Sequence, residues 1–101
     1  MYARHITTTV KRGKVDEAFK IYEESVVPEG KEQKGYRGIY VLTNKETGKI
    51  ISISLWDSEE DAASNEASGY LRRQVDKFKE IIVEPVVKEG FDVVLMLAKP
   101  K

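Results

Sequence analysis

The chain has 101 residues, 41% of them hydrophobic, which is the size and apolar content of one folded domain spanning residues 1–101. Its 17 basic and 17 acidic residues cancel, which argues against recruitment by charge to nucleic acid or to an anionic membrane surface. Cysteine is absent, which excludes disulfides and thiolate catalysis, and one histidine is too few to build a metal site without a diagnostic carboxylate cluster. No apolar run approaches the length of a membrane span, and "MYARHITTTV" lacks the apolar stretch of a signal peptide. The expectation is a soluble, cytoplasmic domain.

Tyr2 to Val10 is rich in β-branched residues and stops at "KRGK", so it predicts a strand. From Lys14 the period changes: Val15, Ala18, Phe19, Tyr22 and Val26 fall at helical spacing, with Asp16 and Glu17 in the first turn. Pro28 should end or kink this helix. "GYRGIYVLT", the polar turn "NKETGK" and "IISISLW" read as an antiparallel hairpin. Ser58 can cap the following helix, with Asp61 three residues on. Gly69 divides that helix, and its second part carries Leu71, Val75, Phe78 and Ile82 as a buried stripe, limited by Pro85. "FDVVLMLA" is the last predicted strand.

The order β-α-β-β-α-β predicts an α+β, ferredoxin-like fold: a four-stranded antiparallel sheet with both helices on one face. The other face does not look built for water. Ile51, Ile53 and Leu55 form one apolar row of the third strand, while Ile50 and Trp56 bracket Ser52 and Ser54 on the opposite row. In the last strand Phe91, Val93, Leu95 and Leu97 would point one way, and Val94, Met96 and Ala98 the other. An apolar second face predicts a homodimer whose two sheets pack face to face, a dimeric α/β barrel.

Residues 1–49 together with "ISLWDSEEDAASNEASGY" resemble the antibiotic biosynthesis monooxygenase family of dimeric α/β-barrel proteins. The resemblance covers nearly the whole chain. It rests on the Gly13-Lys14 helix start, the Gly35-Tyr36-Arg37-Gly38 strand entry and the Trp56-Asp57-Ser58-Glu59-Glu60 strand-to-helix step. It implies oxidation of a small aromatic or quinol compound by molecular oxygen without a cofactor, and it places the tryptophan on the ligand side. Other members of the superfamily degrade haem, combining an asparagine on the first strand, the tryptophan and a histidine from the second helix. Here the first of these positions is Ile6 and "YLRRQVDKFKE" holds no histidine, so the axial ligand is missing.

The residues suggest a pocket between sheet and helices. Ser52 and Ser54 free volume in front of Trp56, and Tyr22, Tyr70 and Phe78 are candidate aromatic walls for a small aromatic ligand. The same small residues would equally serve close helix–sheet packing. His5 and Glu66 are candidate catalytic bases, and Asn65 is a candidate contact for a substrate carbonyl or hydroxyl. Strand parity sets His5 apart from Tyr2, Arg4 and Ile6, so if Ile6 faces the helices, His5 faces the dimer interior. No cofactor, metal, nucleic acid or membrane partner is expected. The alternative function is a non-catalytic homodimer that binds a small hydrophobic molecule or serves as a scaffold.

Overall fold

The computed structural model describes residues 1–97. β1 (Tyr2–Thr9) leads to α1 (Val15–Ile21), a π-helical turn (Tyr22–Val26) and α2 (Val27–Gly30). β2 (Tyr36–Asn44) and β3 (Lys49–Trp56) form the hairpin, followed by α3 (Glu59–Ala67), α4 (Tyr70–Asp76) and β4 (Val87–Asp92). The strands lie in the order β2-β3-β1-β4 with every pairing antiparallel. This is the expected ferredoxin-like arrangement, with the helices over one face of the sheet.

The first helical segment continues where the sequence suggested a break. Pro28 has no N–H to give the carbonyl one turn earlier. The chain answers by widening into the π turn just before it, so helical conformation carries on to Gly30. The wider turn changes which residues are buried. Ala18, Tyr22, Val26 and Gly30 face inward at steps of four, whereas Phe19, expected in the buried row, is 53% exposed. Val10, Val15, Ala18, Tyr22, Val26, Ile50, Phe78 and Ile81 make the main core cluster.

α3 starts as predicted, with the Ser58 hydroxyl accepting the Asp61 N–H at 3.1 Å and acidic side chains filling the first turn. Gly69, at φ 87°, separates it from α4. Beyond Gly69 the buried row is Tyr70, Gln74, Phe78 and Ile81, one position earlier than the expected stripe except at Phe78. Leu71, Val75 and Ile82 are half-buried and border a cavity, with Ile82 also packed against the core cluster. α4 ends at Asp76, well before Pro85.

β4 also differs from expectation. It occupies Val87–Asp92, and its ladder with β1 ends at the Tyr2↔Asp92 pair. Val93 N–H makes one further bond, to the Met1 carbonyl. Beyond it β1 offers no partner, so residues 93–97 leave the sheet, with Val94, Leu95 and Leu97 between 82% and 93% exposed. Their expected alternation is therefore not a strand alternation; Ala98 lies outside the described residues.

The face away from the helices carries Tyr40, Leu42, Ile51, Ile53, Leu55, Val87 and Phe91, brought onto one side by the registers Tyr40↔Ile53↔His5, Leu42↔Ile51↔Thr7 and Leu55↔Ala3↔Phe91. Tyr40, Leu42, Val87 and Phe91 are about half exposed. The apolar second face read from the sequence is present in the folded chain.

Gly13 and Gly48 both adopt positive φ, at 82° and 78°. A side chain at Gly13 would meet open space, whereas a Cβ at Gly48 would lie 2.3 Å from the Val10 carbonyl oxygen. Gly13→Ala is expected to destabilise by about 1 kcal/mol, the left-handed backbone penalty alone. Gly48→Ala is expected to lose about 3 kcal/mol or more, because rigid backbone also has to move. Urea midpoints of the two variants check the difference.

Candidate functional site

The helix-facing side of the sheet brings Arg4, Ile6 and Thr8 of β1 beside Ile50, Ser52, Ser54 and Trp56 of β3. Over them lie Tyr22 and Val26 of the π turn, Gly30 of α2, and Tyr70, Leu71, Gln74 and Val75 of α4. Between the layers is a mostly apolar cavity of about 60 Å³. That volume holds a few waters. A ring system needs some of its half-buried walls to yield.

Trp56 closes one end of the cavity and is 1% exposed. Its indole N–H donates to the Ser54 hydroxyl at 2.9 Å, and its ring meets that of Tyr36 edge-on at 5.9 Å. Ser54 therefore does more than leave room: it supplies the acceptor that a buried indole N–H requires. Ser52 lines the cavity one step along. Burial pushes the Tyr22 phenol upward from its ordinary pKa, with a hydrogen bond to Ser52 opposing. Burial raises Tyr36 and Tyr70 as well. Gly30 allows the Tyr36 and Tyr70 rings to close in, since a Cβ there would sit 3.3 Å from the Tyr70 hydroxyl.

Arg4 is the group that sequence reasoning missed. It is 3% exposed, and its guanidinium carbon lies 4.9 Å from the centre of the Trp56 ring. Such a stacked, desolvated cation is worth up to about 2 kcal/mol. Its Nη1 donates to Asn65 Oδ1 at 3.0 Å and, at 3.5 Å, to the Ala62 carbonyl and to Glu66 Oε2. Burial lowers the Arg4 pKa, and Glu66 is the largest opposing influence. The signal was available in principle: parity already put Arg4 on the row of Ile6, a charged residue among residues that pack against helices.

Asn65 is buried and joins two elements, accepting from Arg4 and donating through Nδ2 to Gln33 Oε1 at 3.0 Å. It acts on the cavity through Arg4 and is not itself a wall residue. Glu66 does not enter the cavity either. One carboxylate oxygen faces Arg4 and the other is ion-paired with Lys88 on β4. His5 is on the opposite sheet face, where its ring meets Phe91 edge-on at 6.0 Å. The expected bases are thus both placed away from the cavity, one by strand parity and one by its cationic partners. Trp56, Ser52, Ser54, Tyr22 and Tyr70 come together as expected.

At the helical rim, Lys77 binds Glu29, the Ser25 hydroxyl at 2.6 Å and Gln74 Oε1 at 2.8 Å, while Gln74 Nε2 reaches Glu29 at 3.4 Å. This network ties α2 to α4 beside the cavity and holds the Glu29 carboxyl below its usual pKa, chiefly through Lys77. Among the described residues, no three His, Cys, Asp or Glu side chains gather where they could share a metal ion. No helix among them is long and apolar enough to cross a membrane.

The model of the antibiotic biosynthesis monooxygenase family matches residues 1–80. No curated protein matches the chain by sequence. Among solved structures, SnoaB, a cofactor-independent oxygenase from Streptomyces nogalater, is similar at TM-score 0.75 and 14% identity, with 97% of each chain covered. A monooxygenase from the ActVA-Orf6 gene of Streptomyces coelicolor, solved with the ligand nanaomycin D, is similar at TM-score 0.73 and 12% identity over 98% of this chain and 92% of that one. NE2512 of Nitrosomonas europaea, a protein of unknown function, is similar at TM-score 0.74 and 11% identity over 99% and 95%. At these identities the likeness is one of fold.

Two outcomes follow from the cavity wall. Ser54→Ala strands the Trp56 indole N–H and is expected to destabilise by about 1–3 kcal/mol, with a shifted Trp emission, as chemical denaturation followed by fluorescence will show. The second concerns alkaline pH. Tyr22, Tyr36 and Tyr70 have folded-state pKa values raised above the unfolded value near 10. The unfolded chain therefore loses these protons first, and stability is expected to be level below about pH 9 and to fall as pH rises through 10. Tyr22→Phe should make that fall shallower in urea titrations from pH 8 to 11.

Proposed function

The chain belongs to the antibiotic biosynthesis monooxygenase family, and from that premise we propose that it oxygenates a flat phenol or quinol, without a cofactor, in the cavity between sheet and helices. The observation that carries this reading is the cavity itself: an apolar space ended by a hydrogen-bonded, fully buried tryptophan and bordered by Tyr22, Tyr36 and Tyr70. Such walls suit an aromatic ring and exclude water. Leu71, Val75, Ile82 and Val86, which are half-buried, are the walls that give way to admit it.

The chemistry balances without an external reductant. The substrate ionises to a phenolate, which passes one electron to O₂. The aryloxyl radical and superoxide combine at a ring carbon, forming a C–O bond. The peroxide takes up a proton, replacing the one the phenol gave up, and loss of the hydrogen on that carbon as a proton then breaks the O–O bond, the leaving hydroxide and that proton making water. Phenol and O₂ become quinone and water, one oxygen atom on the ring and one in the water. What the protein contributes is a dry, oriented site and stabilisation of the anion. The dimer belongs to the same proposal, with the apolar face of Ile51, Ile53 and Leu55 meeting a second copy in a cytoplasmic homodimer.

A second reading is a non-catalytic dimer that binds a hydrophobic molecule. The placement of His5 and Glu66 outside the cavity favours it. The two readings separate in one experiment: Trp56 fluorescence titrations with quinols and polycyclic phenols, followed by oxygen uptake for each binder. Saturable quenching with stoichiometric O₂ consumption is expected. Quenching without uptake would favour the binding protein, and no response would overturn the aromatic-ligand reading. Ser52→Leu, which fills the cavity, is expected to weaken quenching by about tenfold or more.

A further inference from the structure

We propose that the cavity is entered over β4, between that edge of the sheet and α4, and that the ion pair of Lys88 with Glu66 spans the entrance, so that Lys88 controls access without touching the ligand. This rests on the cavity as a ligand site and specifies how it is reached.

The cavity wall is uneven. Ile50, Ser52, Ser54, Trp56, Tyr22 and Phe78 are buried and close it toward β3 and the core. Ile6 on the strand beside β4, Val86 directly before β4, and Leu71, Val75 and Ile82 above them are only half-buried. The two edges of the sheet also differ. On β2 the helix-facing Ile39 and Val41 are half-buried beneath the helices, whereas all six residues of β4 are exposed. The registers Arg4↔Gly90 and Ile6↔Lys88 put Gly90 and Lys88 on the helix-facing side, because cross-strand partners share a face. The helical layer therefore stops short of β4, and the thin part of the wall lies next to that gap.

Two long side chains lie over the gap. Tyr2 rests on Gly90, where an added Cβ would overlap its hydroxyl. Lys88, across from Ile6, reaches from β4 to Glu66 near the end of α3 and pairs with it. Neither Lys88 nor Glu66 lines the cavity, although Ile6 beside the one and Arg4 beside the other do. The pair thus stands outside the wall, with its side chains 49% and 25% exposed. Glu66 is the fixed half, held from within by Arg4 at 3.5 Å. Lys88, on its flexible stem, is the half that swings away. An exposed ion pair adds little stability, and exposed side chains change rotamer quickly, so this route opens far more readily than one through buried side chains.

With one tryptophan and no cysteine in the chain, access to the cavity can be read from acrylamide quenching of Trp56, and the entrance can be plugged at a single introduced thiol. Lys88→Gln is expected to raise the quenching rate constant about threefold or more, since access follows the population of the open form, with the urea midpoint nearly unchanged. Lys45→Gln, which breaks the exposed pair with Asp16 elsewhere on the surface, should leave quenching as it is. Lys88→Cys carrying N-cyclohexylmaleimide should slow quenching below the wild type. The neutral probe para-nitroanisole, followed by stopped-flow Trp56 fluorescence, should enter and leave Lys88→Gln faster by the same factor, with Kd unchanged; a changed Kd would make Lys88 a ligand contact and overturn the proposal. Quenching unaffected by both Lys88 variants, or raised equally by Lys45→Gln, would also overturn it. If the Lys88 variants shift acrylamide quenching as expected but para-nitroanisole does not bind, the entrance stands and the aromatic-ligand reading falls.

Discussion

The arrangement of the site depends on one buried cation. Arg4 rises from β1 into the layer between sheet and helices, stacks against Trp56 and bonds to Asn65 on α3. An isolated charge in such a place would be strongly unfavourable. It is tolerable because an aromatic face, an amide oxygen and part of a carboxylate surround it. These partners come from β3 and from α3, so satisfying the charge also fixes how α3 lies over the sheet. Asn65 extends the same constraint to Gln33, in the connection leading into β2.

The small residues of β3 have a sharper role than making room. Ser54 accepts from Trp56, and Ser52 lies at the cavity wall within reach of the Tyr22 hydroxyl. Larger aliphatic side chains would fill the cavity and strand both polar groups. The π turn contributes from the other side: by carrying Tyr22, Val26 and Gly30 inward at steps of four, it puts a phenol and a bare backbone over the cavity. Pro28 is the local cause, and the cavity roof is the consequence.

The opposite face obeys a different constraint. Its apolar side chains come from all four strands, interrupted by His5, Thr7 and Glu89, and the segment after Asp92 runs off the end of β1 with its apolar side chains in solvent. Exposed apolar surface of this extent is normally an association surface. His5 belongs to that face, beside Phe91, so its surroundings are set by whatever covers the sheet and not by the cavity.

Local features of the sequence determined the elements and their order. A β-branched run, a helical period with acidic residues at its start, the Ser58 cap and the Gly69 break act over a few residues, and parity along β3 separated the serine row from the isoleucine row. Most of the aromatic membership of the cavity, Trp56, Tyr22, Tyr70 and Phe78, was legible for the same reason, whereas Tyr36 was not. What needed the tertiary structure was everything set between distant residues: which row faces the helices, whether Glu66 is free or held by Arg4 and Lys88, and where β4 stops because β1 no longer runs beside it. The burial of Arg4 is the clearest case. Its hydrogen-bond partner is 61 residues away, and no local period or propensity carries information over that separation. Only the packing of α3 on the sheet turns a surface-type residue into the charged wall of a cavity.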